Sequence, residues 1–300
     1  MGKYINPFTD WGFKRLFGQE FSKDLLICFL NDLLEGEHHI RSLTFKDKEQ
    51  LPLSKDQRCM IYDVYCEADD GKRFIVEMQN RSHPYFIDRS ICYASRCLLD
   101  QISKGHKINS YELLPVYTIC FMNFEEPTLS KFRTDAVLAD KENGNVISDK
   151  MRFIYLVLPY FNKQQEECSK DFEKWLYVLK HMEALERMPF TAQKEIFKKL
   201  ADYADSHSLN SEEQKQYEES LFKAMDTEAC LMGARLEGLA EGRAEGRAEG
   251  RAEGRAEGRA EGEKEKALNI ALKLLTFNTP IDIISQSTGL TVEEIKKLKQ

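Results

Sequence analysis

The sequence predicts an α/β region followed by an all-helical region and a short helical tail. Three observations predict it. Between residues 42 and 160, short apolar runs of strand length surround one long helical pattern. From 165 to 230 the chain is rich in Glu, Lys and Leu and has no strand-like run. From 240 to 263 a four-residue Ala-Glu-Gly-Arg repeat replaces apolar periodicity, which resumes after it.

Composition narrows the class. A chain of 300 residues with 42% hydrophobic and 11% aromatic residues can bury a real core, in one large domain or two modest ones. A net charge of −7 excludes nucleic-acid binding by bulk charge and leaves only a local patch. No apolar run approaches the roughly 20 residues of a membrane span. The opening MGKYINPFTDWGFKRLFG lacks a charged stretch followed by an apolar one, so the expectation is a cytoplasmic protein without a secretory leader. Eight cysteines are scattered, with neither CxxC pairs nor the Cys/His spacing of a zinc site. They read as reduced thiols, several of them small core residues, and no zinc is expected.

The elements follow in order. NPFTD reads as a turn, and WGFKRLFG follows it. KDLLICFLNDLLEG is a helical pattern stopped by Gly36. Strands are expected at 42–46, 58–68, 72–79, 115–122, about 134–139, and 152–158. A long helix is expected over 84–104, with Pro84 at its start and Gly105 at its stop. Ile87, Ile91, Ala94, Leu98 and Ile102 would be its apolar stripe. Arg89, Tyr93 and Arg96 fall on another face, a pattern able to hold phosphates or to stand as an exposed basic face. The expected divisions are a core at 1–165, a helical extension at 166–230, a repeat spacer at 231–263 and a helical tail at 264–300.

In the repeat, like residues stand four apart, whereas Glu and Arg are two or six apart. Helix-stabilising ion pairs are therefore absent, and each Gly costs up to about 1 kcal/mol relative to Ala. A lone helix should be weak. Either the repeat is a flexible charged spacer, or its small residues let helices approach and form a homo-oligomer. The tail reads as three short helices. Leu268, Leu272 and Leu275 mark the first, and Ile281, Ile283 and Ile284 the second. The third follows Thr-Gly-Leu, with Thr291 as cap and Glu294 completing a capping box. This outline fits a helix-turn-helix or a small dimerisation unit.

Residues 62–81, YDVYCEADDGKRFIVEMQNR, read as a hairpin. A two-residue turn would set Asp63 opposite Met78. A three-residue loop, Asp69-Asp70-Gly71, sets it opposite Glu77. Gly71 occupies the left-handed position of the three-residue loop, which selects that register. Opposed residues on paired strands have α-carbons about 4.5–5.5 Å apart. Two carboxylates that close repel unless a cation lies between them, and oxygen ligands of this kind suit Mg²⁺ or Mn²⁺. The alternative is a solvated hairpin face with two ordinary acids.

Asp63…Glu77-Met78-Gln79, with thirteen residues between the acids, resembles the PD-(D/E)xK nuclease motif. TDWGFKRLFG, DVYCEADDGKRFIVEMQ and Tyr93…Gln101…Gly105…Tyr111…LLPVYTICF resemble the recombination-promoting nuclease (Rpn) and transposase-like family of that superfamily. The resemblance implies a restriction-endonuclease-like mixed sheet flanked by helices. It implies a Mg²⁺-dependent (or Mn²⁺-dependent) DNA endonuclease, linked to recombination, mobile elements or defence against foreign DNA. Asp63, Glu77 and the Met78 carbonyl would hold the metal. Gln79 occupies the lysine place and can orient water but brings no charge. Asp10 would be an extra acid just ahead of the first helix, and Lys14 would face the same cleft. The rival is a catalytically weak or inactive DNA-binding or interaction protein on the same fold.

Overall fold

The computed structural model describes residues 2–50, 60–102 and 112–298. They divide into two compact units, Met1–Ala224 and Met225–Gln300. Gly105, Tyr111, Cys59 and the expected start of the strand at residue 58 lie outside the described residues.

In the first unit the chain enters helix α1 (Asp10–Phe17) through Thr9, whose hydroxyl accepts the Gly12 N–H at 3.0 Å. Asp10 is thus the first residue of the helix rather than a residue ahead of it. Gly12 has a packing reason, since a Cβ there would stand 2.1 Å from the Asn6 carbonyl oxygen. Helix α2 (Lys23–Leu33) follows, and Gly36 turns the chain at φ +81°. The remaining helices of this unit are α3 (Phe86–Leu99), α4 (Asp171–His181), α5 (Ile196–Ala204) and the start of α6 (Ser211–Thr276).

The sheet strands are β1 (Leu43–Phe45), β4 (Val64–Ala68), β5 (Arg73–Gln79), β6 (Val116–Met122), β7 (Arg133–Ala139) and β8 (Val146–Val157). Their order is β1-β4-β5-β6-β8-β7. The β5–β6 and β6–β8 pairs are parallel and the other three are antiparallel, so the sheet is mixed. A separate two-stranded piece joins β2 (Glu49–Gln50) to β3 (Met60–Ile61).

Alternating residues of β4 and β5 serve two cores. Val64, Cys66, Phe74 and Val76 face α1, α2, α4 and α5, where Phe17, Phe29, Phe121 and Trp175 form an aromatic cluster. Tyr65 and Ile75 face α3 with Tyr62, Cys120 and Tyr155. Glu77 continues the Ile75 row, so it belongs to the α3 face.

Helix α3 differs from expectation in length and orientation. It ends at Leu99, and its buried stripe is Phe86, Ser90, Ala94 and Cys97. Ile91 and Ile102 are exposed. The cause is polar satisfaction: Ser90 Oγ bonds Tyr155 OH at 3.0 Å, and Cys97 Sγ bonds Tyr65 OH at 3.3 Å. Small side chains bring the helix close to the sheet, an arrangement a purely apolar stripe does not reveal. The rotation leaves Arg89 and Tyr93 beside the buried stripe.

In the second unit, Ala271, Ile284, Leu290 and Ile295 form a small core between α6, α7 (Ile281–Thr288) and α8 (Val292–Lys297). Gly289 turns at φ +74°, and Thr291 with Glu294 makes the expected capping box. The repeat is helical throughout, within α6. Three of every four of its residues are the strong helix formers Ala, Glu and Arg, which outweigh one Gly.

Candidate active site

The loop Asp69-Asp70-Gly71 has the three-residue geometry. Ala68 N–H donates to the Lys72 carbonyl at 2.8 Å, Gly71 N–H donates to the Ala68 carbonyl at 2.9 Å, and Gly71 has φ +81°. The ladder pairs Val64 with Val76 and Tyr65 with Ile75. One step further sets Asp63 opposite Glu77.

At that step the ladder changes character. Asp63 N–H donates to Glu77 Oε1 at 3.1 Å, and Met78 N–H donates to Asp63 Oδ2 at 2.8 Å. The Asp63 carboxylate thus takes the Met78 N–H that a continued ladder would give to the Tyr62 carbonyl. The expected single strand 58–68 is accordingly two pieces, β3 and β4, broken at Tyr62–Asp63. Tyr62 N–H turns aside to the Lys48 carbonyl at 3.0 Å. The break lets Asp63 aim back at the hairpin's own second strand.

Glu77 is 4% exposed. Burial raises its pKa, the Asp63 carboxylate adds to the rise, and it stands at about 8. Asp63 is raised too, by burial above all, while the Met78 N–H, Lys14 and Arg89 act against the rise. Among the described residues neither acid has an ion-pair partner. The pair is an under-compensated acidic centre, in which a proton on Glu77 relieves the repulsion at neutral pH.

Gln79 is held at both ends of its amide. Arg89 Nη2 donates to Gln79 Oε1 at 2.7 Å, and Gln79 Nε2 donates to the Arg81 carbonyl at 3.0 Å. The Arg89 guanidinium also lies over the Phe86 and Tyr93 rings, 5.3 and 5.8 Å from their centroids. A fixed positive charge therefore stands next to the glutamine in the lysine place. Tyr93 OH donates to the Ile61 carbonyl at 3.1 Å, and the Glu77 charge helps raise its phenol pKa after burial. Arg96 lies outside this group, ion-paired with Asp100 at 3.0 Å.

Helix α1 contributes Lys14, whose charge acts on both acids. It is ion-paired with Asp10 at 2.6 Å. Asp10 is exposed and acts on Asp63 only as a further negative charge. Among the described residues no three His, Cys, Asp or Glu side chains cluster closely enough to hold an ion, so Asp10 is not brought onto the pair.

Sequence reasoning missed Lys48. Burial lowers its pKa first, the Lys14 charge second, and the charges of Asp63 and Asp10 oppose them. It lies against Gly18, where a Cβ would stand 3.2 Å from Lys48 Nζ. Only the antiparallel pairing of β2 with β3, which brings residue 48 beside residue 62, reveals it.

A mixed sheet with a buried acid pair on one hairpin and a held glutamine two residues on defines a nuclease-type α/β fold. The model of the PD-(D/E)XK nuclease family transposases matches residues 7–234, and the chain belongs to that family. No curated protein and no solved structure matches it. Membership supports a nuclease-type function with DNA as substrate, and nucleases of this class generally use divalent metals. Among the described residues no helix is long and apolar enough to cross a membrane.

Proposed function

We propose that the chain is a metal-dependent DNA endonuclease centred on Asp63 and Glu77. The carrying observation is the burial of these two acids against each other with no ion-paired cation among the described residues. The donor set fits a hard divalent ion, Mg²⁺ or Mn²⁺. Each acid gives one oxygen to a backbone N–H, which leaves Asp63 Oδ1 and Glu77 Oε2 for the metal. Strand geometry turns the Met78 carbonyl to the same edge as its N–H, the edge facing Asp63, which supports it as a third ligand.

Asp63, Glu77 and the Met78 carbonyl would hold a divalent ion, whose chemistry when bound would be to activate a water and to offset charge on the scissile phosphate. Gln79 orients the attacking water by hydrogen bonding. Arg89, fixed to the Gln79 oxygen, supplies the positive charge that a lysine at that place would bring, and it stabilises the phosphorane-like charge. Lys14 and Lys48 add positive potential from the other side. Tyr93 holds the edge of the broken strand, Arg96 meets the DNA backbone farther along α3, and Asp10 keeps Lys14 oriented.

The division into a 1–165 core, a 166–230 extension, a 231–263 repeat segment and a 264–300 tail belongs to this proposal. So do a cytoplasmic setting, a role in recombination, mobile elements or defence, and homo-oligomer formation through the repeat and tail. A second reading retains DNA binding without cleavage, and Gln79 in the lysine place favours it. Incubation of supercoiled plasmid with the purified chain decides between them. Nicked product in Mg²⁺ or Mn²⁺ and none in EDTA or Ca²⁺ is expected, while DNA retention without nicking in every metal supports the second reading.

A further inference from the structure

The loop that follows Gln79 ends in an exposed aromatic ring that the mechanism above does not use. Tyr85 caps the start of α3 and is 67% exposed. Among the described residues its hydroxyl makes no hydrogen bond. The residue is nevertheless held in place. Pro84 fixes the backbone just ahead of it. The Tyr85 carbonyl accepts the Arg89 N–H at 2.9 Å, which closes the first turn of α3. Tyr85 N–H donates to His83 Nδ1 at 3.2 Å, and the two rings pack T-shaped, with centroids 6.0 Å apart and planes at 63°. A ring this exposed and this constrained gives up little freedom when something lies against it.

Its position says what that something is. Residues four apart on a helix are surface neighbours, so Tyr85 stands beside Arg89, whose guanidinium holds the Gln79 oxygen at 2.7 Å. The ring therefore lies one helical turn from the acid pair and its glutamine. Charge around it is scarce: the chain carries −7 overall, Lys14 is ion-paired with Asp10, and Arg96 with Asp100. Phosphate neutralisation alone gives such a surface a weak grip on DNA. We propose that Tyr85 stacks on an unpaired base, so that the substrate is DNA with single-stranded nucleotides beside the scissile phosphate. This rests on the reading of Asp63 and Glu77 as a DNA-cleaving centre. In an intact duplex each base face is covered by its neighbours, and the ring has nothing to stack on. An unpaired base offers its face whatever its identity. The selection is therefore by DNA structure rather than by sequence.

Fluorescence anisotropy of the full chain in Ca²⁺, where no nicking is expected, tests this on three labelled probes. One is a blunt duplex, one is that duplex with a short single-stranded gap, and one is the gapped DNA with abasic sites across the gap. The abasic probe keeps every phosphate and removes the stacking partner. The wild type should bind the gapped probe about five- to a hundredfold more tightly than the abasic one. Tyr85→Ala should lose that preference, with duplex affinity unchanged, and Tyr85→Phe should keep it. Circular dichroism checks that each variant is folded. A wild type that binds no DNA or shows no preference, a preference that survives in Tyr85→Ala, or an equal loss on the duplex would overturn the proposal. Anisotropy reads binding alone, so the two readings fail separately. Absent nicking with the preference intact strikes the nuclease reading, and nicking without the preference strikes this one.

Discussion

Glu77→Gln should raise the melting temperature of the metal-free protein by a few degrees while lowering cleavage about a thousandfold or more. The two effects have one cause. In the fold, burial and the Asp63 charge lift the Glu77 pKa from its ordinary value of 4.5 to about 8. Between those values the folded chain binds more protons than the unfolded one, so stability falls as pH rises through that window. The amide keeps the shape and accepts the Asp63 N–H while removing the repulsion. It also removes the anionic ligand. In EDTA, the wild type should therefore lose stability from pH 5 to pH 8, and the variant should show a shallower slope. Thermal melts at both pH values, with and without Mg²⁺, check this. Equal slopes for the two proteins would show that the pair stores no such strain.

Arg89→Ala should cost about 10²–10³-fold in cleavage rate, the usual loss when a fixed donor at a transition-state charge is removed. Arg89 holds the Gln79 oxygen at 2.7 Å and is itself stacked on Phe86 and Tyr93. Its loss frees the amide oxygen and withdraws the positive charge bonded to it together. Arg89→Lys should recover part of the rate, because charge returns without the fork geometry. Pairing Arg89→Ala with Gln79→Lys should also recover activity, since the lysine restores charge at the same place. Single-turnover nicking rates in Mg²⁺ read all three. Full activity in Arg89→Ala would remove the arginine from the mechanism.

The hairpin was legible because its register depends on one local choice. Asp69-Asp70-Gly71 admits a three-residue loop, Gly71 supplies the positive φ, and the opposition of Asp63 and Glu77 follows by counting. The helix stop at Gly36 and the Thr291–Glu294 capping box were legible for the same reason: each is set within a few residues. The strand break at Tyr62–Asp63 was not. It arises because the Glu77 carboxylate accepts the Asp63 N–H and the Asp63 carboxylate accepts the Met78 N–H, which cannot be seen before the two acids are known to be opposite. Nor was the buried face of α3, where hydroxyl and thiol bonds to Tyr155 and Tyr65 make small polar residues the inner ones. Periodicity counts Ser90 as outward and Ile91 as inward, and here tertiary hydrogen bonding prevails. Lys48 and the Arg89–Gln79 bond depend on chain reversals that no local pattern encodes. In the repeat, summed helix propensity prevailed over the missing ion pairs.

The central claim is that Asp63 and Glu77 form one metal-dependent catalytic centre. The most direct measurement is nicking of supercoiled plasmid in Mg²⁺ by the wild type, Asp63→Ala and Glu77→Ala, each first shown to be folded. The expected result is nicking by the wild type, abolished in both variants and by EDTA. Equal nicking by either variant would contradict the claim and move the chemistry away from the hairpin.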